Sequence, residues 1–529
     1  MKLVFFNTIP EIITIGLSHV ITYLEKNGYP SKHVFLTRKG ESYEGDNEYN
    51  RKEDTQYEKN AILEFIERDK PDLIGITLMT LNFFRARTLT KIIKERFPSI
   101  PIIWGGIHPT FHPEESIEYA DYICVGEGED ATLQLVQMLE KGQVSPNIPN
   151  IWMKKNGQII KNDVRPLIQN LDEYPYPQIN LSNTYCLGKD QIKPLTPELY
   201  RRYTRYNGKI YNIIISRGCP FACSYCCNSL YRQLYKNKGK YVRYRSVDNV
   251  IDQLKYIKHE LPFVRTINIQ DDSFASASHD YLEEFSEKYR AEIGLAFRCR
   301  INATTIDEAK IKSLVSANAV ALIMGIQANN RINKEVFNRI SPFDSSLKAA
   351  QLLKKYKILP EYHLIGRNPY ETEEDMVEIC RMLTQLPKPF RLQIFWLGLF
   401  PHTQLRKKAI DDGIEVNELD GYTTKYGSYP ERFPLLRSIQ EMTPLTANRL
   451  ILYFLEHRNS SWGRFLLGAY RRLCFNNLDR LKEIVIHNPR LYFLAKKVLF
   501  LRGNIRHLPN QKTTGNMTPL NREFPTSGM

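Results

Sequence analysis

The chain has 529 residues, of which 42% are hydrophobic and 25% charged, close to the averages of folded proteins. That length exceeds one ordinary core and predicts two to four domains, and the composition excludes a disordered or fibrous chain. The formal charge of +15 admits nucleic acid, anionic lipid or acidic ligands as partners, and its distribution along the chain decides among them.

Residues 1–145 alternate short apolar runs with longer amphipathic ones: "KLVFF", "GLSHVITYLEKNGY", "DLIGITLMT", "RARTLTKIIKERFP", "PIIWGG" and "DYICVGEGEDATLQLVQML". That alternation predicts βαβ units under a doubly wound, Rossmann-like parallel sheet of a size to bind a nucleotide or cofactor. The opening apolar run is broken by Asn7, Pro10 and Glu11, too early for a secretory leader. Residues 146–205, richer in Pro, Asn and Tyr, read as a linker with a little extended structure. From 206 to 405 six apolar strands recur, "KIYNIIISRG", "VRTINIQDDSF", "GLAFRCRIN", "AVALIMGIQ", "LPEYHLIG" and "RLQIFWLGLF", with helical patterns such as "VDNVIDQLKYIKHEL" between them. Six βα units in series predict a partial (β/α)6 barrel of TIM type, with its chemistry at the C-terminal strand ends. The fold class is therefore α/β.

The remainder, 406–529, reads as a helical, basic region ending in a polar tail, "NQKTTGNMTPLNREFPTSGM", expected to be disordered. Between Arg449 and Arg506 twelve Lys or Arg face three Asp or Glu, interleaved with long apolar runs. Two readings stand: a helical cap with a solvated basic face, or an interfacial surface that contacts anionic membrane and admits a lipid. Nucleic acid is not expected, because the basic residues form no polar groove. No apolar run reaches the roughly 18 residues of a spanning helix. The nine cysteines, odd in number and unevenly spaced, fit a reducing, cytoplasmic setting, with peripheral contact at the inner membrane face as the interfacial variant.

Four of those cysteines fall in one stretch, "SRGCPFACSYCCNSLYR", just after the first barrel strand. A closed zinc site would need a second cysteine pair, and none follows. The spacing C-x3-C-x2-C supplies three thiolates where a closed iron–sulfur site takes four, which leaves one iron open to a substrate or cofactor. The string "CPFACSYC" resembles the cluster loop of the radical S-adenosylmethionine (SAM) superfamily. By that resemblance Cys219, Cys223 and Cys226 hold a 4Fe-4S cluster whose fourth iron is chelated by SAM, and Cys227 is a bystander. The resemblance further implies SAM contacts at Tyr225, at Asp271 and Asp272 of "NIQDDSF", at Arg298 of "FRCRIN", and at Gly325 and Gln327 of "MGIQANN". Gln327 stands where that segment usually carries Glu. "LIGRNPYETEED" and "LFPHTQL" resemble further family turns, the latter with His402 in place of Gly.

Ahead of such a barrel, "DLIGITLMT", "IIWGGIHPTFHPEE" and "DYICVGEGEDATLQL" resemble the cobalamin-binding domain of the cobalamin-dependent class. The residues implied are Thr77, Met79, Thr80, Gly105, Gly106, His108, Gly126, Glu127, Gly128 and Glu129. Paired glycines after a strand let a backbone approach a bulky ligand, and a helix N-terminus after Gly128 can face a polar group. None of the eleven histidines sits in the Asp-x-His-x-x-Gly context that places an imidazole beneath cobalt, so cobalamin is expected base-off. "HPTFHPEE" reads as a loop with capping histidines, not cobalt ligands.

The resemblance spans residues 1–405 and implies a cobalamin-dependent radical SAM enzyme, a methyltransferase of an unactivated carbon in a lipid or other secondary metabolite. One SAM would methylate reduced cobalamin, and a second would yield the 5'-deoxyadenosyl radical that takes a substrate hydrogen. A low-potential electron donor is an implied partner. The alternatives are a cyclase, coupling or oxidative enzyme of the same superfamily without methyl transfer, or an iron–sulfur redox sensor.

Overall fold

Short runs of Val, Ile, Leu and Phe form the parallel centre of the first sheet: β1 (Leu3–Asn7), β2 (Ser31–Phe35), β3 (Leu73–Thr77), β4 (Ile102–Gly105) and β5 (Tyr122–Cys124). The computed structural model describes every residue except 10–13, 37–51, 144, 156, 189–190, 420, 423–428 and 472–529. β1 and β3 are buried at every position, as strands covered by helices on both faces must be. One face packs Val4, Phe6, Ile74, Ile76 and Trp104 against the helices Lys52–Asp69 and Phe83–Arg96. The other packs Leu3, Phe5, Leu73 and Ile103 against Ile15–Lys26 and Glu129–Glu140. The order β5-β4-β3-β1-β2 reverses at β1, and open α/β sheets bind ligands at such a switch, beyond the carboxyl ends of the strands.

The stretch 146–205, expected to be a linker, extends this sheet at both edges. β6 (Ile151–Lys155) and β7 (Gln158–Ile160) add antiparallel beside β5, while β8 (Thr184–Leu187) runs parallel to β2 and carries β9 (Ile192–Pro194) at the far edge. These strands are three to five residues long, too short for their alternation to stand out among Pro and Asn.

The second sheet begins with β10 (Ile210–Ile213), and a small antiparallel ladder of β11 (Ser216–Arg217) with β12 (Arg243–Tyr244) stands beside it. It continues through β13 (Thr266–Ile269), β14 (Ala296–Ile301), β15 (Ala319–Gln327), β16 (Leu359–Gly366) and β17 (Arg391–Trp396), all parallel and in sequential order. β14 and β16 alternate strictly between buried and part-exposed residues. The buried set, including Phe297, Cys299, Tyr362 and Leu364, joins the helix-covered core. The opposite set carries Arg298, Arg300, Glu361 and His363 among Ala296, Leu359 and Ile365, so the concave side of this half-barrel presents polar groups and can face a ligand.

Contacts divide the chain into Met1–Leu455 and Glu456–Met529. In the second unit the described residues form the helix Ser461–Tyr470, with Trp462 and Phe465 exposed and stacked at 5.5 Å. The polar tail and most of the basic apolar segment lie outside the described residues. Among the described residues no helix is long and apolar enough to cross a membrane.

Candidate active site

The cysteine loop runs from β11 into the helix Cys227–Leu234, and hydrogen bonds to the backbone fix its path. Asp271, beyond the end of β13, is buried and accepts from the amides of Ile215 (2.7 Å) and Ser216 (2.8 Å) and from the Ser216 hydroxyl. Gly218 takes a φ of +89°, and a Cβ there would lie 2.5 Å from the carbonyl of Tyr241, so only glycine turns the chain into the loop. Ser224 donates through its amide to Phe337 O (2.9 Å) and through its hydroxyl to Val336 O (2.7 Å). Cys219, Cys223 and Cys226 are all free thiols, the first two buried. Arg339 and Asn228 each point a donor at a sulfur, of Cys223 and Cys226 respectively, at 3.7 Å. Hydrogen bonding from Cys227 and Asn228 draws the Cys226 thiol down in pKa against the effect of burial, whereas burial pushes Cys219 up to about 12. Four free cysteines lie on this loop, Cys227 hydrogen-bonded to Cys226; the three in the C-x3-C-x2-C spacing can supply the donor set of a cluster with one open iron.

The expected SAM residues separate into two kinds. Asp271 spends both oxygens on the loop backbone, and Asp272 accepts from Asn228 Nδ2 at 2.9 Å. Arg298 donates to Asn268 Oδ1 (2.9 Å), which donates in turn to Asn212 (2.7 Å), a hydrogen-bonded rung across β10, β13 and β14. Tyr225 packs its ring edge-on to Phe337 at 4.9 Å. Gln327 is different. It lies in the left-handed region (φ +67°) at a bulge, and its Oε1 is buried with no donor. A strained residue holding an unpaired acceptor at a barrel strand end is suited to a ligand's N–H or O–H. A Cβ on Gly325 would lie 2.4 Å from the Gln327 amide nitrogen, so a larger residue there would displace the Gln327 side chain.

On the first sheet the ten residues expected at the corrinoid gather at the carboxyl ends of β3, β4 and β5. Thr77, Thr80 and Asn82 are buried, and the Asn82 Oδ1 has no partner. These neutral hydroxyl and amide groups suit the amide arms of a corrin ring. A Cβ on Gly105 would meet nothing closer than Cys124 Cβ at 3.8 Å, so that position is open to a ligand. The other glycines serve the protein itself. A Cβ on Gly106 (φ +110°) would lie 2.5 Å from Leu78 O, and one on Gly126 (φ +84°) 2.0 Å from the hydroxyl of Tyr235. His108 is fully buried beside Phe83, His112 and Tyr422, and Met79 stands at the turn after β3.

Glu127 and Glu129 face the cysteine loop. Arg217, two residues before Cys219, pairs with Glu127 (3.2 Å) and with Glu129, while Arg243 of β12 forks onto Glu127 and donates to Ile168 O (2.8 Å). Burial pushes the Glu127 carboxyl up, but the two guanidiniums outweigh it and hold it below the ordinary range. Tyr235 completes the junction by accepting from the Glu127 amide at 2.8 Å. Sequence reasoning missed Arg217, Arg243, Tyr235 and Arg339. Arg217 was legible as the basic residue inside "SRGCP", and nothing in the sequence marks the other three.

The chain matches the B12 binding domain model over residues 1–136 and the radical SAM superfamily model over 213–383. It is 27% identical to an uncharacterized methyltransferase of Pyrococcus horikoshii, covering 67% of this chain and 72% of that one. It is 25% identical to the anaerobic magnesium-protoporphyrin IX monomethyl ester cyclase of Rubrivivax gelatinosus, over 61% of this chain and only 56% of the cyclase. Among solved structures, the cobalamin-dependent SAM radical enzyme OxsB, with aqua-cobalamin and SAM bound, superposes with a TM-score of 0.65 at 14% identity, covering 95% of this chain and 75% of that one. Two domain matches in the same order, on the two sheets described above, place this chain among the radical SAM enzymes that carry an N-terminal cobalamin-binding domain.

Proposed function

We propose that this enzyme is a cobalamin-dependent radical C-methyltransferase of a small organic substrate. The observation that carries the reading is the Arg217, Arg243, Glu127, Glu129 junction, which ties the loop after β5 to the cysteine loop. A corrinoid on one rim and a cluster on the other would then share one reaction space, and proximity of that kind gives a reactive radical its selectivity.

In this reading Cys219, Cys223 and Cys226 hold the 4Fe-4S cluster, Gln327 Oε1 and the polar groups around it hold SAM, and the neutral rim of Thr77, Thr80, Asn82 and Gly105 holds cobalamin. The bound groups supply the chemistry: reductive cleavage of SAM to a hydrogen-abstracting radical, and a methyl carried on cobalt. The chain's own residues do the rest. Asp271 and Ser224 fix the loop backbone, and Arg339 and Asn228 donate to sulfur, which lowers the charge a reduced cluster must bear. On the concave side, Arg298, Arg300 and Glu361 offer charged groups and His363 a polar one. They suit a polar or anionic small molecule better than a lipid tail, and the lipid alternative rests on a basic segment that lies mostly outside the described residues.

The test is anaerobic: reconstituted protein with dithionite, SAM and methylcobalamin, measuring 5'-deoxyadenosine and S-adenosylhomocysteine against Cys223→Ala. Both products, with deoxyadenosine lost in the variant, support the methyltransferase. Deoxyadenosine alone supports the second reading, a ring-forming enzyme, which the cyclase relative favours. Deoxyadenosine retained in Cys223→Ala would sink the cluster assignment.

A further inference from the structure

Three side chains converge beyond the carboxyl end of β4 in an arrangement the proposed reaction does not use. The short helix Ile107–Phe111 after β4 and the next turn, Pro113–Ser116, bring together His108, His112 and Glu115, with the histidines at i and i+4. His108 Nε2 lies 3.5 Å and His112 Nδ1 3.7 Å from the same carboxylate atom, Glu115 Oε2. Those separations are long for hydrogen bonds. They are close to the edge of a tetrahedron around an ion with metal–ligand bonds of about 2.0–2.2 Å, which is roughly 3.3–3.6 Å.

The surroundings agree. His108 has no exposed surface, and neither of its ring nitrogens has a hydrogen-bond partner. Orphaned imidazole nitrogens in a pocket walled by Phe83 and Tyr422 need an explanation, and a metal ion is one. The two imidazoles stack at 4.5 Å and 9°, a geometry two imidazolium ions would resist. The carboxylate is oriented by an outer partner, since Tyr422 donates to Glu115 Oε2 at 2.8 Å. The ring of His402 lies 4.6 Å from that of His112, on a residue in the left-handed conformation (φ +62°). A strained backbone at that point is repaid if the imidazole has a task.

We propose that His108, His112 and Glu115 form a second metal site, separate from the cysteine loop, that takes a divalent ion of the zinc class with His402 beside the fourth position. Nitrogen and oxygen donors exclude a soft-metal thiolate site, and two imidazoles exclude the all-oxygen shells of Mg2+ and Ca2+. Because His402 and Tyr422 follow β17 while the triad follows β4, the ion would staple the cobalamin-binding rim to the end of the barrel.

The experiment uses full-length protein with its cluster reconstituted anaerobically, titrated with Zn2+ alone by calorimetry and examined by zinc-edge X-ray absorption. One equivalent should bind in a shell of nitrogen and oxygen with two imidazoles. Tyr422→Phe should weaken it about 10- to 100-fold, and His112→Ala or the near-isosteric Glu115→Gln by at least as much, with the cluster absorbance reporting that the fold survives. Sulfur in the zinc shell, affinity unchanged in both His112→Ala and Glu115→Gln, or no binding by the wild type each overturns the proposal.

Discussion

Replacing Glu127 by Gln tests whether the junction between the two sheets is held by charge. Arg243 and Glu129 are buried, with side chains 3% and 4% exposed, while Glu127 and Arg217 are about one-fifth exposed. Removing one partner of a buried pair costs about 3–5 kcal/mol, because the charge left behind stays desolvated. Glu127 is partly wet, Gln keeps an acceptor, and Arg217 retains Glu129, so the lower end, about 3 kcal/mol, is expected. At 1.36 kcal/mol per factor of ten, the open form of the junction should become about a hundredfold more populated. Amide hydrogen exchange reads this directly at the β11–β12 ladder and at the Glu127 amide, which is closed by Tyr235. The control is Asp248→Asn, which breaks an exposed pair with Lys288 and should leave exchange unchanged. Exchange in Glu127→Gln within threefold of wild type would refute the reasoning. Because the folded pKa of Glu127 is depressed, the junction should hold at neutral pH and loosen only as acid protonates that carboxylate below its ordinary range.

Asp375 caps the helix Glu373–Gln385 in a reciprocal box with Thr372. Burial opposes its ionisation, but hydrogen bonds from Arg331, the Thr372 amide and Asn329 bring it from 3.8 to about 2. It should therefore contribute stability above pH 4, on the order of 2 kcal/mol, that is lost as pH falls from about 4 to 2; Asp375→Asn should flatten that acid limb in denaturant titrations. Gly105→Ala should leave the melting temperature of the cofactor-free protein within about a degree and yet lower cobalamin retention. Gly106→Ala should destabilise the fold by 1–3 kcal/mol or more through its positive φ and the 2.5 Å approach to Leu78 O. Equal effects of the two glycine changes would remove the assignment of the corrinoid to the open side of Gly105. Tyr235→Phe should partly rescue Gly126→Ala, since the Tyr235 hydroxyl is the atom the new methyl meets, and strictly additive stabilities would contradict that contact.

The barrel was legible because each of its six strands is an apolar run bounded by helices with clear periodicity, and all six runs coincide with β10 and β13–β17. The cysteine loop was legible because spacing alone encodes it. The edge strands β6–β9 were not, since runs of three to five residues carry too little alternation to stand against Pro and Asn. The helix Lys52–Asp69 was hidden by its charge, with its buried apolar residues limited to Ala61, Ile62, Phe65 and Ile66. At the site, the glycines were read as points where the backbone approaches a ligand, but sequence could not tell a ligand from a neighbouring segment: Gly105 faces open space, while Gly106 and Gly126 face Leu78 and Tyr235. Asp271 was expected at SAM and instead holds the loop backbone, because a carboxylate just past a strand end serves either purpose until the amides around it are placed. Arg217 and Arg243 find Glu127 from more than 80 residues away, a pairing no local pattern announces.

The hairpins from 146–205 also decide how this enzyme can meet other proteins. A parallel sheet left with bare outer strands offers its unpaired amides and carbonyls to any extended segment, an invitation to strand addition or aggregation. Here both borders are trimmed with strands of only three residues, β7 on one side and β9, ending in Pro194, on the other. Pro194 has no amide to offer, and three residues give a docking strand too little to grip. An electron donor is therefore not expected to add a strand to this first sheet, and its footprint should be sought by cross-linking on loops, helix faces and the outer strands of the second sheet.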